Sequence, residues 1–288
     1  MSGLIINSHK FSYVANRLRQ FFLSKKYVEV HTQNRLSILA ACEDPSTISI
    51  YNYAASHWPL PQTGQMWLEY ELLKDPTPPG YFCVSTSYRN EPDPIPGRHE
   101  IIFPMFEFEL KGDFGEMKKM EKELLENLGY GNKNTFVEEE YKTIAKKMEV
   151  NEITSKEEMS IYKDQGHKVF FLQNFPEYTS PFWNMKRYSD GETAKKTDII
   201  MSGMETIGSA ERSCDKDDMR NRFNTISSGM YAKKLYNLFG RERVDREMDE
   251  FLSHKFIERS GGGIGMTRLI RSMELEGLIP KDVVDARK

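Results

Sequence analysis

Residues 82–110, FCVSTSYRNEPDPIPGRHEIIFPMFEFEL, constrain the fold of this chain more than any other stretch. Two runs rich in aromatic and β-branched residues suit strands. Between them Pro92, Pro94, Pro96 and Gly97 cannot continue a ladder, so the segment reads as strand, loop and strand. Residues two apart in a strand share a face. Arg89 and Glu91 are therefore expected to point one way, as are Phe103, Met105, Glu107 and Glu109. That face would carry a cation, carboxylates and an aromatic ring. The combination suits a nucleotide: a ring to stack on a base, a guanidinium for a phosphate, acids for a metal or an amine. On spacing alone, an amphipathic hairpin with a solvated charged face fits equally well.

Composition narrows the classes. The 288 residues, 39% of them hydrophobic, are enough for a sizeable core in one or two domains. A net charge of −3 supplies no global basic field for nucleic acid, although a local patch remains open. Cys42, Cys83 and Cys214 lie far apart and form neither a zinc pattern nor a disulfide framework, which fits a reducing cytosol. The first residues lack the apolar run of a signal peptide, and no segment reaches the roughly 18 apolar residues of a membrane span. A cytoplasmic protein without a membrane partner is expected.

Periodicity predicts a helix over residues 8–25, followed by a strand over 27–32. A second helix is expected over 114–128, stopped by Gly129. Residues 130–164 are charged and read as a peripheral insertion or a small helical pair. A buried strand is expected at 169–172 and a polar loop at 186–196. Residues 215–238 and 244–252 read as scaffold helices.

Two further stretches carry chemistry. Asp198 and Glu205 are seven apart, and Arg212 follows after seven more. Two acids suit a hard cation, and a fork-shaped guanidinium suits a planar group. Glu211 beside it would accept from an amide or ammonia, or face solvent. Residues 261–268, GGGIGMTR, end in Arg268; glycines there let a backbone approach a ligand closely.

Arg89-x-Glu91, a loop, then His99-x-x-x-Phe103-x-x-x-Glu107 resembles motif 2 of class II aminoacyl-tRNA synthetases. The helix–strand unit ending Glu-Val-x-Thr resembles motif 1, and Gly261 to Arg268 resembles motif 3. Residues 198–212, Cys42-Glu43-Asp44 and the run Gly64-Gln65-Met66 to Glu69 are similar to segments of the aspartyl and asparaginyl enzymes. Four positions depart from that pattern: Gln33 replaces Pro, Leu68 a lysine of the aspartyl enzymes, Ile102 a Glu, and Thr267 an acid. The last departure resembles the stand-alone, ammonia-dependent asparagine synthetases.

The resemblance implies an α+β fold, with six or seven antiparallel strands flanked by helices. It implies one catalytic domain over 1–288, with 130–165 as an insertion, no anticodon-binding domain, and a homodimer formed through motif 1. ATP and Mg²⁺ are the implied cofactors. Arg89 would bridge the reacting carboxylate and the α-phosphate. Arg268 and His99 would hold the outer phosphates, with Glu91 and Arg98 also in the ATP site, and Phe103 would stack on adenine. Glu43 and Gln65 would bind the substrate ammonium and Arg212 its side chain; Asp198 and Glu205 would carry Mg²⁺. The implied reaction is adenylation of aspartate or asparagine. The expected acceptor is ammonia, with tRNA or another amine as the alternative, and a catalytically degenerate binding subunit as a third possibility.

Overall fold

Val14, Ala15, Leu18, Phe21 and Phe22 form one buried stripe, and the Asn7 side chain accepts the amides of His9 and Lys10. Ser8–Ser24 accordingly folds as helix α1. The computed structural model describes residues 6–32, 37–40, 45–95, 97–98 and 100–285. The strand predicted next is short, β1 at Val28–Glu29. The hairpin β2 (Ile50–Tyr53) and β3 (Ser56–Pro59) follows, then α2 (Gln65–Lys74) and the long pair β4 (Gly80–Tyr88) and β5 (Ile102–Lys111). Helix α3 (Phe114–Leu128) starts at an Asp113 cap and stops at Gly129, whose φ of 103° favours glycine. Beyond it come β6 (Val137–Glu140), α4 (Tyr141–Lys147), α5 (Ser155–Lys163), β7 (Val169–Pro176), β8 (Thr193–Met201) and β9 (Met204–Glu211). The chain continues as α6 (Lys216–Thr225), α7 (Met230–Phe239), α8 (Arg241–Ser253), β10 (Arg259–Gly265), α9 (Met266–Leu275) and α10 (Lys281–Asp285).

Eight strands form one sheet in the order β1-β4-β5-β10-β9-β8-β7-β6. From β4 to β7 every pair is antiparallel, as expected. The outer strands β1 and β6 pair in parallel, which makes the sheet mixed and larger than expected. Parallel neighbours require crossover connections. The chain between β1 and β4 holds α2, and that between β6 and β7 holds α4 and α5. Residues 130–165 thus supply an edge strand and two helices, with Tyr141, Ile144 and Ile161 in one core cluster with Phe170 and Leu172.

Two other expectations change. The helix predicted over 215–238 breaks at Ser227, Ser228 and Gly229, whose φ values of 52°, 56° and 79° cannot continue it. The polar loop expected at 186–196 ends early, because β8 begins at Thr193, and it is pinned by Arg187. That buried guanidinium holds Glu177 and the carbonyls of Pro181, Phe182 and Met185.

The two sheet faces differ. Phe82, Phe106, Phe108, Ile207 and Ile264 pack with α1, α3 and α9. The Phe22 ring lies 5.1–5.6 Å from the rings of Phe82, Phe106 and Phe108. Each fully buried ring contributes about 1.5–3 kcal/mol, so this face carries much of the folding free energy. Between those residues alternate Ser85, Glu107 and Glu109, which face the other way. There Trp183, Phe223, Tyr231 and Phe251 form a second core with α6–α8, leaving part of the sheet as the floor of a cavity.

One ionisable group lies in the apolar layer. Glu121 on α3 is fully buried, and neither carboxyl oxygen has a hydrogen-bond partner among the described residues. Burial pushes its pKa up to about 8, with Ser209 and Lys118 acting against it. Between the ordinary 4.5 and about 8 the folded chain keeps a proton that the unfolded chain has lost. Stability from this group is full below that window and declines as pH rises through it, by about 1.4 kcal/mol per unit. Glu121→Gln should flatten the decline and stabilise the protein at pH 8 by about 2 kcal/mol. Urea midpoints at pH 5 and pH 8 check this; an unchanged slope in the variant contradicts it.

Candidate active site

A cavity of about 440 Å³ opens on the polar face of the sheet. Its lining includes Gln65, Arg89, Glu91, Arg98, Phe103, Glu205, Arg212 and Arg268, which the sequence picks out from four separate stretches. Glu43 and His99 lie outside the described residues. Strand β4 ends at Tyr88, so Arg89 and Glu91 reach the cavity from the loop and not from a strand face. The backbone amides of Arg89 and Asn90 donate to Ile101 O and Thr47 O at 2.8 and 2.9 Å, which fixes the start of that loop. The Arg89 guanidinium carbon sits 5.7 Å from the centre of the Phe103 ring.

Strand alternation carries Phe103, Met105 and Glu107 into the lining. Glu107, 1% exposed, accepts the Gly64 amide at 2.6 Å and the hydroxyls of Thr63 and Ser85. It fastens the start of α2 to the hairpin. Gln65, first in that helix, then donates to Phe108 O at 3.1 Å and to Glu109.

Four cations gather near Glu205. Burial opposes its ionisation, but Lys196, Arg268, Arg89 and Arg98 outweigh it and hold its pKa below the ordinary value. Arg268, early in α9, donates to Glu205 O at 2.7 Å and to Arg98 O at 3.4 Å. Asp198 is buried beside these groups. Burial raises its pKa; Lys196 opposes the rise and the Glu205 charge adds to it.

A second charged group underlies Gln65. Arg212 lies 3.4 Å from both oxygens of Glu109 and 3.8 Å from Glu69. Glu69 also accepts Arg259 Nε and Nη2, at 2.9 and 2.7 Å, and Asn184 Nδ2 at 2.6 Å. Glu69 and Arg259 are wholly buried. Burial raises the pKa of Glu109; Arg212 opposes the rise and Glu69 adds to it. Gly261 and Gly263 keep this floor open, since added Cβ atoms would meet Glu109 and Met105.

The family model of tRNA synthetases class II (D, K and N) matches residues 7–279. The chain belongs to this family. Asparaginyl-tRNA synthetase from Pyrococcus horikoshii, complexed with asparaginyl-adenylate, superposes with a TM-score of 0.72 at 20% identity, over 91% of this chain and 64% of that one. Asparaginyl-tRNA synthetase from Entamoeba histolytica with asparaginyl-adenylate gives 0.71 at 18% identity, over 93% and 63%. Aspartyl-tRNA synthetase from the same organism gives 0.64 at 18% identity, over 91% and 54%. The chain spans less than two thirds of these solved relatives. None of the curated proteins compared with it matches.

Asp198 Oδ1 is buried without a hydrogen-bond partner among the described residues. A Cβ added at Gly208 would lie 3.4 Å from that oxygen and 3.1 Å from Glu205 Oε1, so the two oxygens converge where no side chain intrudes. Two hard oxygens fit Mg²⁺, which completes its shell with water and phosphate. No group of three or more His, Cys, Asp or Glu that could hold a metal occurs among the described residues. On Oδ2 of Asp198, however, sits the Lys196 ammonium at 2.7 Å. Thr267, which replaces an acid of the family pattern, lines the cavity together with Glu100 from the loop. Glu211 turns to the opposite face. Buried there, it accepts the Phe114 amide and holds Lys186 and Lys195, so it meets neither substrate nor solvent.

Sequence reasoning misses Lys196, Glu100, Glu158 and the Glu69–Arg259 pair. Lys196 is two residues before Asp198 on one strand, and alternation alone could have found it. Glu158 on α5 accepts Arg98 Nη2 at 2.6 Å and the Glu205 amide at 2.9 Å; nothing in its local sequence signals this. Arg259→Met should leave Glu69 a charge without its main partner in a dry interior and destabilise the fold by about 3–5 kcal/mol. A urea midpoint equal to that of the wild type would contradict this.

Proposed function

We propose that this chain activates aspartate with ATP as an acyl-adenylate and passes the acyl group to ammonia, forming asparagine and AMP. The observation that carries the reading is the convergence of Arg89, Arg98, Arg268 and Lys196 around Glu205 in a cavity that also holds Gln65 and Arg212. Four cations suit a triphosphate. Arg89 binds the reacting carboxylate and the α-phosphate together, which offsets the repulsion between two anions. A carboxylate oxygen attacks the α-phosphorus in line, the bond to the β-phosphate oxygen breaks, and pyrophosphate leaves. Arg98 and Arg268 hold the outer phosphates, and Phe103, with Arg89 across its ring, is the platform for adenine. Asp198 and Glu205 would hold Mg²⁺, which would supply further positive charge to the outer phosphates. Catalysis is then positioning and charge stabilisation, with no covalent nucleophile from the protein.

The mouth of the cavity favours a small acceptor. The loop there exposes Asp93, Ile95, Ile101 and Ile102. A polyanion gains little from such a rim. One observation supports a second reading, adenylation of asparagine for transfer to tRNA or another amine. Arg212 already faces Glu69 and Glu109, and Leu68 lies with Tyr81 and Cys83 in an apolar cluster, so neither offers a substrate carboxylate an unshared charge.

ATP–pyrophosphate exchange with each amino acid tests the activation step. Aspartate should support exchange, and Arg89→Ala should lower it by about a hundredfold or more; wild-type exchange in that variant would sink the reading. Asparagine formation on adding ammonia favours the first acceptor, whereas exchange with asparagine alone favours the second reading.

A further inference from the structure

We infer that Lys196 is a resident cation of the acid pair, standing where a second divalent ion would otherwise bind against Asp198. The inference rests on the proposed reading only in taking Asp198 and Glu205 as the metal-facing acids. Lys196 and Asp198 share a face of β8. The ammonium lies 2.7 Å from Asp198 Oδ2 and 3.9 Å from the centre of the Phe175 ring. The ring steadies it from another side by cation–π attraction. Lys196 is also the foremost cation holding the pKa of Glu205 down.

The oxygens divide into two sets. Asp198 Oδ1, buried without a hydrogen-bond partner among the described residues, and Glu205 Oε1 converge over Gly208, where one hard cation would sit. Asp198 Oδ2 already has a positive charge on it. A divalent ion on that second side would meet an ammonium across a few ångströms of poorly screened space, and the repulsion is large there. The pair therefore accepts one divalent ion, on the Gly208 side, and Lys196 supplies the other charge permanently. A chain built this way depends less steeply on free Mg²⁺ than one whose neutralising charges are all ions.

Binding of Mn²⁺, followed through the electron paramagnetic resonance of the free ion, tests this without any turnover. The purified chain is titrated alone and with α,β-methylene-ATP, as wild type, Lys196→Met, Lys196→Arg and Lys196→Met with Asp198→Asn. Lys196→Met should bind one more Mn²⁺, or bind the same ion about tenfold more tightly or better. Lys196→Arg should behave as wild type, and the added Asp198→Asn change should abolish the gain. If Lys196→Met fails to fold, Lys196→Gln takes its place, with the same outcome expected. Equal stoichiometry and affinity in wild type and the folded variant overturn the inference, as does a gain that survives Asp198→Asn. Failure of amino-acid-dependent exchange in the wild type would instead count against the proposed function and leave the Mn²⁺ result standing.

Discussion

The site depends on the dehydrated pair of Glu69 and Arg259. Removing two such charges from water is costly, and the cost is offset only if each finds several partners in good geometry. Arg259 reaches Glu69 through two nitrogens and also donates to Ser213 O, with the Phe256 ring 4.7 Å away. Glu69 in turn holds Asn184 and lies near Arg212. One ion pair so ties α2, β10 and the two chain segments beside them. The positions of Gln65 and Arg212 follow from it, because each is within a few residues of one partner or in contact with it.

Elsewhere the architecture sets apolar cohesion on one side of a sheet against polar function on the other. β5 shows both in four residues: Phe106 and Phe108 join the aromatic core, while Met105 and Glu107 line the cavity. β10 follows the same division. A Cβ at Gly262 would strike Ser209 and the Gly208 carbonyl, whereas those at Gly261 and Gly263 would point to the cavity side. The glycine run therefore answers two needs, close strand packing behind and a clear floor in front.

Much of this is legible in the sequence. The strand–loop–strand over 82–110, the capped helix over 114–128 and the glycine strand leading to Arg268 each carry local signals of period, cap or turn. What is not legible is whatever depends on partners distant in the chain. The parallel edge strand β6 is only four residues long, too short to register by pattern, and the strand expected over 27–32 shrinks to the two residues of β1. Arg187 and Glu177 sit in stretches whose polarity suggests solvent, yet Arg187 is almost wholly enclosed. Glu158 is one acid among several on an unremarkable amphipathic helix, and only the folded chain sets it against Arg98.

That contact links two events that otherwise look separate. A single oxygen of Glu158 receives both the Arg98 guanidinium and the Glu205 amide. Lifting the proline-rich loop away from the sheet would strip one donor from that oxygen, and loosening the turn between β8 and β9 would strip the other. The loop and the Glu205 backbone are therefore mechanically joined through a helix that contributes no residue to the lining of the cavity.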